Sequence, residues 1–349
     1  MKNLPAARGA FFALLAALLF GVSTPLIQRV GIGVSAWMTA AMLYAGAAVA
    51  GLLLRSGTAK EAALRKQHWP RLLLMALCGA VFGPVVFAWG LQRTSDVSAS
   101  LMLTLEAVFT VLLSCLLYRE PIDRRVVLAI TFLTIGGGLL VFDRIENGAI
   151  QLIGLLAVMV ATVAWAADNT LSRKLADLDP GQVVLGKAAL GSACSFLIAA
   201  ITGETALSQS AGVGLFLIGV TGYGLSLRFY LLAQRALGAA RTGSIFATEP
   251  FIGALIAFGL GERVLSPWLL GGAALMVMGI VLHISERHEH KHKHEALAHE
   301  HAHSHDDGHH AHIHAQMPVG VGVHSHSHQH DQMTHSHPHT PDLHHVHRH

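Results

Sequence analysis

VSASLMLTLEAVFTVLLSCLLYREPID (Val97–Asp123) and ARTGSIFATEPFIGALIAFGLGERVLSP (Ala240–Pro267) are two versions of one segment. Each is an apolar run with one carboxylate near its middle, Glu106 or Glu249, and a second at its far end, Glu120 or Glu262. The central glutamates are 143 positions apart and the distal ones 142. At about 1.5 Å of rise per residue, each central glutamate falls roughly 13 Å into a helix long enough to cross a bilayer, close to the hydrocarbon midplane. A carboxylate at that depth is costly, and its usual justification is function.

The composition around these segments admits one class of protein. The 349 residues are 52% hydrophobic and 13% charged, with 35 glycines and a mean hydropathy of +0.50. A soluble domain of this size does not carry that balance, so the chain reads as an all-α polytopic membrane protein and not as an enzyme. The net charge of +3 forms no basic stripe, and no nucleic-acid partner is expected. Cys78, Cys115 and Cys194 lie inside apolar runs with no CxxC spacing, which points to packing rather than disulfides or a zinc finger. The first apolar run is too long for a signal peptide and is followed by more spans.

Runs of spanning length fall at residues 9–28, 35–54, 71–91, 97–117, 125–142, 150–171, 182–202, 212–232, 241–260 and 267–284. They predict ten transmembrane helices joined by short loops. Asp123 is a candidate cap for the helix beginning at Arg124, and Ser266-Pro267 reads as an N-cap followed by proline in the first turn. With the N-terminus inside, basic residues such as Arg55, Arg65, Lys66, Arg124, Arg125 and Lys174 collect on the inner side, against Arg29, Arg93, Arg144 and Arg263 outside. This bias orients both termini to the cytoplasm of a bacterial inner membrane.

The duplication reaches beyond the opening pair. LFGVSTPLIQR (Leu19–Arg29) aligns with AWAADNTLSRK (Ala164–Lys174) at an offset of 145, and Leu91-Gln92-Arg93 answers Ala233-Gln234-Arg235. Five helices per copy is an odd number, so the second copy is inverted relative to the first. The expected domains are residues 1–146 and 147–285 as the two inverted five-helix repeats, and 286–349 as a disordered His-rich tail. Inverted repeats hold substrate at their interface and move by alternating access, which favours a carrier over a channel.

Glu106-Ala107 and Glu249-Pro250, the distal Glu120 and Glu262, and the glycine-rich endings TIGGGLLVF and LLGGAALMVMGIVL together resemble the EamA repeats of the drug/metabolite transporter superfamily, over about residues 9–284. The resemblance implies a ten-helix inner-membrane carrier, usually an exporter of metabolites or small amphipathic compounds. Two positions depart from the pattern: Ala107 stands where a proline follows the glutamate in such repeats, and Met42-Leu43-Tyr44 where they commonly carry an arginine.

Five charges lie inside the spans: Glu106, Asp168, Lys187, Arg228 and Glu249, with Asn169 beside Asp168. At the repeat offset Asp168 answers Ser23, Lys187 answers Met42 and Arg228 answers Val86, so the second copy carries most of the charge. Glu249 and Asp168 are the expected carriers of protons and of a cationic substrate in turn, with Lys187 or Arg228 neutralising the empty state. A static salt bridge is the alternative. Glu120 and Glu262 read as interfacial caps or surface pairs. Met38, Met42 and Met102 read as filler rather than soft metal ligands, and Ser23, Thr24 and Asn169 as candidates to line a polar cavity.

The tail is the other strong signal, with 23 of the 25 histidines beyond residue 285. His288, His290, His292, His294, His299, His301, His303, His305, His309, His310, His312, His314, His324, His326, His328 and His330 alternate with small and acidic residues in H-x-H patterns. Such a segment has almost nothing to bury and reads as disordered. Neutral imidazole is the preferred ligand of nickel, cobalt, zinc and copper, so these residues are expected to bind such ions, with no obligatory cofactor elsewhere.

Two functions follow as expectations. One is a proton-coupled exporter of a divalent transition metal, nickel or cobalt favoured, fed by the tail. The other is a metabolite or drug exporter whose tail only buffers or senses metal. The expected partners are the lipid bilayer and a small solute or metal ion, and a homodimer is left open.

Overall fold

The computed structural model describes residues 4–55, 62–118, 124–146, 148–175, 178–237, 239–262 and 266–284, and in the tail 289–293, 297–303, 324–330 and 334–338. Up to Ile284 the described residues are helical apart from turns and short connections. Nine helical segments among them have the length and apolarity to cross a membrane, and Pro267–Ile284 supplies a tenth, shorter apolar helix.

The first repeat comprises α1 (Leu4–Val30), α2 (Ala36–Leu54), α3 (Trp69–Ala76), α4 (Gly83–Leu91), α5 (Asp96–Met102), α6 (Leu105–Tyr118) and α7 (Arg124–Glu146). The second comprises α8 (Ala149–Ser172), α9 (Pro180–Thr202), α10 (Gln209–Ile218), α11 (Ser226–Leu237), α12 (Ala239–Phe246), α13 (Glu249–Gly259) and α14 (Pro267–Ile284). Fourteen helices make ten spans because four spans are interrupted, which corrects the expectation of continuous helices. The third and eighth pass through π-helical segments, Leu77–Phe82 and Gly219–Leu225, which begin 142 positions apart. The fourth and ninth break at Leu103-Thr104 and Ala247-Thr248, one or two residues before the central glutamates.

The breaks share local features. Thr104 Oγ1 donates to Leu101 O at 2.6 Å and Thr248 Oγ1 to Ile245 O at 2.8 Å, each one turn back. Around them the backbone tightens to three-residue reach, as in Glu106 N to Leu103 O at 2.9 Å and Thr248 N to Ile245 O at 3.2 Å. Back-bonding of this kind competes with the helical ladder and bends it. Pro250 removes one more donor in the second copy, but the first copy breaks with Ala107 in that place. Proline is therefore not what makes the break.

Packing follows the inverted symmetry. α2 lies against α9 and α7 against α14, pairing the second span with the seventh and the fifth with the tenth. α1 packs on α11 and α13 as α8 packs on α4 and α6, the same arrangement with the repeats exchanged. Glycines set the close approaches. A Cβ on Gly253 would lie 2.8 Å from Ser100 Oγ, and one on Gly222 would lie 2.6 Å from Ser23 Cβ. Large apolar side chains such as Leu53, Leu116 and Ile201 stay exposed on the outer surface, as a lipid-facing shell requires.

Serine hydroxyls close several helix starts, Ser266 among them as its sequence suggests. Ser35, Ser95 and Ser208 cap α2, α5 and α10 through their hydroxyls, and Ser266 Oγ accepts from Leu269 N at 3.0 Å ahead of Pro267. Asp123 and Glu120 lie outside the described residues.

The described tail residues form short strand segments. β1 (Glu289–Lys293) pairs antiparallel with β4 (Thr334–Pro338), and β2 (Leu297–His303) with β3 (His324–His330). The register sets His290 opposite His337, His299 opposite His328 and His301 opposite His326. His288, His294, His305, His309, His310, His312 and His314 lie outside the described residues.

Candidate functional site

A partly open cavity of about 60 Å³ sits between the repeats, room for roughly four to six waters at the ~10–15 Å³ each needs. Its polar lining comes from Glu106, Asp168, Asn169, Lys187 and Ser226, and its walls from Phe20, Tyr44, Trp165, Tyr223, Tyr230 and Phe246. Asp168 and Asn169 stand in the last turns of α8, and Lys187 in the early turns of α9. The cavity therefore lies toward the face that carries the start of α1 and the end of α14, hereafter the tail face.

The broken fourth span places Glu106 in the first turn of α6, the end of a helix whose dipole favours a carboxylate. Asn169 Nδ2 donates to Glu106 Oε1 at 2.6 Å, joining the second repeat to the first. Asp168 Oδ2 pairs with Lys187 Nζ, both side chains at most 5% exposed. That pair is neutral as a unit. Asp168 Oδ1 has no hydrogen-bond partner among the described residues.

A π turn makes room for Asp168. A Cβ on Gly79, in the segment Leu77–Phe82, would overlap the Asp168 carboxylate. The Gly79 carbonyl accepts from Tyr44 Oη, and from Trp165 Nε1 at 3.2 Å. π segments recur at functional sites because they re-aim one carbonyl and one face of a helix.

Phe20 is the hub of the aromatic wall. Its ring lies 5.7 Å from Trp165, 5.3 Å from Tyr223 and 5.8 Å from Phe246, while Tyr44 meets Tyr223 at 5.4 Å. Three of the chain's four tyrosines line the cavity. The sequence reading missed this wall because an aromatic in an apolar span looks like core. The scarcity of tyrosine was the signal available to find it.

The remaining candidates divide. Glu249 is buried in the first turn of α13, does not line the cavity, and leaves Oε2 without a hydrogen-bond partner among the described residues. It lies within electrostatic range of Glu106 and of Tyr223. Arg228 does not line the cavity and donates to Leu54 O at 2.6 Å, closing the C-terminal end of α2. Glu262 accepts from Val97 N at 3.3 Å on the face opposite the tail. Met38 and Met102 are core, and neither they nor Met42, Ser23 or Thr24 line the cavity. Among the described residues no group of three or more His, Cys, Asp or Glu is placed to hold a metal ion.

Residues 7–142 and 152–285 each match the EamA-like transporter family. An uncharacterized transporter of Methanothermobacter thermautotrophicus is 30% identical over 210 residues, a match spanning 57% of this chain and 59% of that protein's length. The uncharacterized transporter YyaM of Bacillus subtilis is 24% identical over 235 residues, or 64% of this chain and 75% of that protein. A solved crystal structure superposes with a TM-score of 0.59 over 78% of this chain and 94% of its own, at 17% identity, a likeness of fold alone.

Proposed function

The chain belongs to the EamA-like transporter family, and from that premise we propose that it is a secondary carrier whose cavity takes a small amphipathic organic cation. The observation that carries this reading is the cavity itself, an aromatic wall around Glu106 and Asn169 beside a self-neutralised Asp168–Lys187 pair. Aromatic faces attract an alkylammonium group, and Glu106 supplies its counter-charge.

Transition-metal cargo fits this cavity less well. Nickel and cobalt favour imidazole or thiolate donors, whereas the polar donors lining it are carboxylate, amide, hydroxyl and phenol oxygens, with one ammonium that repels a cation. The second of the two readings from the sequence is thus the one the geometry supports. Metal binding belongs to the tail in this account, as a buffer or sensor on the same side as the cavity.

Coupling to protons goes with the same reading. Glu249, buried within electrostatic range of Glu106 and Tyr223, is the group proposed to take up a proton as Glu106 releases the cation. With the tail face in the cytoplasm, entry from that face makes the carrier an exporter.

The test is uptake into vesicles carrying an imposed pH gradient, with radiolabelled tetramethylammonium and phenethylamine set against nickel and cobalt ions. Gradient-driven movement of an organic cation is the expected result. Movement of nickel or cobalt without either amine would overturn the reading in favour of metal export.

A further inference from the structure

The two repeats keep matching polar positions but use them differently. Asn169 on α8 is bonded to Glu106 on α6. Their counterparts at the repeat offset are Thr24 on α1, 145 positions before Asn169, and Glu249 on α13, 143 after Glu106. α1 packs on α13 as α8 packs on α6. Yet Thr24 Oγ1 and Glu249 Oε2 each lack a hydrogen-bond partner among the described residues, in side chains of residues no more than 3% exposed. Ser98 and Ser100 on the adjoining α5 carry two more buried hydroxyls in the same condition. Buried polar atoms are almost always paired, so orphans gathered where α1, α5 and α13 meet need a reason.

This region is shut. A Cβ on Gly21, one turn before Thr24, would lie 2.5 Å from Glu249 O, and one on Gly253 would lie 2.8 Å from Ser100 Oγ. The corresponding region between α6 and α8 borders the open cavity. In an inverted-repeat carrier the two halves exchange conformations as the site turns from one face to the other.

Resting on the carrier reading above, we propose that Thr24 and Glu249 form a second half-site, sealed here and opened toward the face opposite the tail when the repeats exchange. There Thr24 bonds Glu249 as Asn169 now bonds Glu106, and the carboxylate meets the N–H or alkylammonium group of the same cation on its way out. The pairing at Glu106 loosens in that state.

The test uses the full chain in right-side-out and inside-out vesicles, with Cys78, Cys115 and Cys194 replaced by alanine and Ser100→Cys as the reporter. A membrane-impermeant maleimide applied to the face opposite the tail reads how often α5 parts from α13. Thr24→Val removes only a hydroxyl and is expected to slow labelling by about threefold to tenfold, the weight of one buried hydrogen bond. Asn169→Leu is expected to speed it by a similar factor, and Thr24→Ser to restore the parent rate. Unchanged labelling in Thr24→Val, or shifts of the same sign in Thr24→Val and Asn169→Leu, would overturn the half-site. Tetramethylammonium is expected to alter the labelling of the parent. If it does not, while the opposite shifts persist, the exchange stands and the cation reading of both half-sites falls.

Discussion

Asn169 Nδ2 donates to Glu106 Oε1 at 2.6 Å, a hydrogen bond that crosses from the last turns of α8 to the first turn of α6 and so ties one repeat to the other inside the cavity. Among the described residues its acceptor is the one carboxylate lining the cavity that has no cation bonded to it. Glu106→Gln keeps the size of the side chain and removes the charge. The apparent KM for an organic cation in vesicle uptake should rise about tenfold to a hundredfold, the range of a charge-assisted hydrogen bond. The detergent-solubilised protein should elute as the parent does. A KM that stays put would leave Glu106 with a packing role only.

The Asp168–Lys187 pair separates two roles that a single substitution confuses. Lys187→Met leaves a carboxylate buried without its cation and should cost about 3 to 5 kcal/mol of stability. Methionine is also what stands at the corresponding position 42 of the first repeat. Adding Asp168→Ser, which copies the twin residue Ser23, should recover most of the thermal stability in detergent. Transport then decides the rest: recovery of uptake along with stability makes the pair structural, whereas a stable, inactive double variant assigns it to the transport cycle.

Gly79 and Gly138 give opposite expectations for the same substitution. Gly79→Ala drives a methyl group into the Asp168 carboxylate, and overpacking of this kind costs about 1 to 3 kcal/mol. Gly138 has open space where its Cβ would stand, inside the regular helix α7, so Gly138→Ala should stabilise by about 0.5 to 1 kcal/mol. Thermal unfolding of the two variants should therefore move in opposite directions from the parent. Loss of uptake should follow Gly79→Ala alone.

Much of this arrangement is legible in the sequence because charge is scarce in a membrane span. Glu106, Asp168, Asn169 and Lys187 stand out against apolar neighbours, and the structure gathers all four around one cavity. Arg228 stands out equally and serves a helix end, because its partner, the Leu54 carbonyl, is 174 positions away and belongs to the backbone. No composition rule points to that. The breaks at Thr104 and Thr248 are hidden because no turn residue marks them, and the first copy lacks even the proline of the second. The repeat offset carries further than single residues do, since both π segments and both breaks recur at it.

The tail gives a prediction that keeps metal and transport apart. Its histidines are separate in the chain from the cavity, and among the described residues the cavity's polar lining contains no imidazole. Removal of residues 288–349 should abolish most binding of nickel, cobalt, zinc or copper by the purified protein, as read by equilibrium dialysis, because neutral imidazole is the ligand these ions share. Maximal uptake of an organic cation should be unchanged within about twofold, the spread expected when no group of the site is touched. If the tail instead regulates the carrier, adding nickel will alter the KM of the intact protein and not of the truncated one, and a chelator will reverse the change. Collapse of uptake in a truncated protein that still inserts and unfolds at the parent temperature would show that the tail delivers the cargo, and would return a metal ion to the cavity.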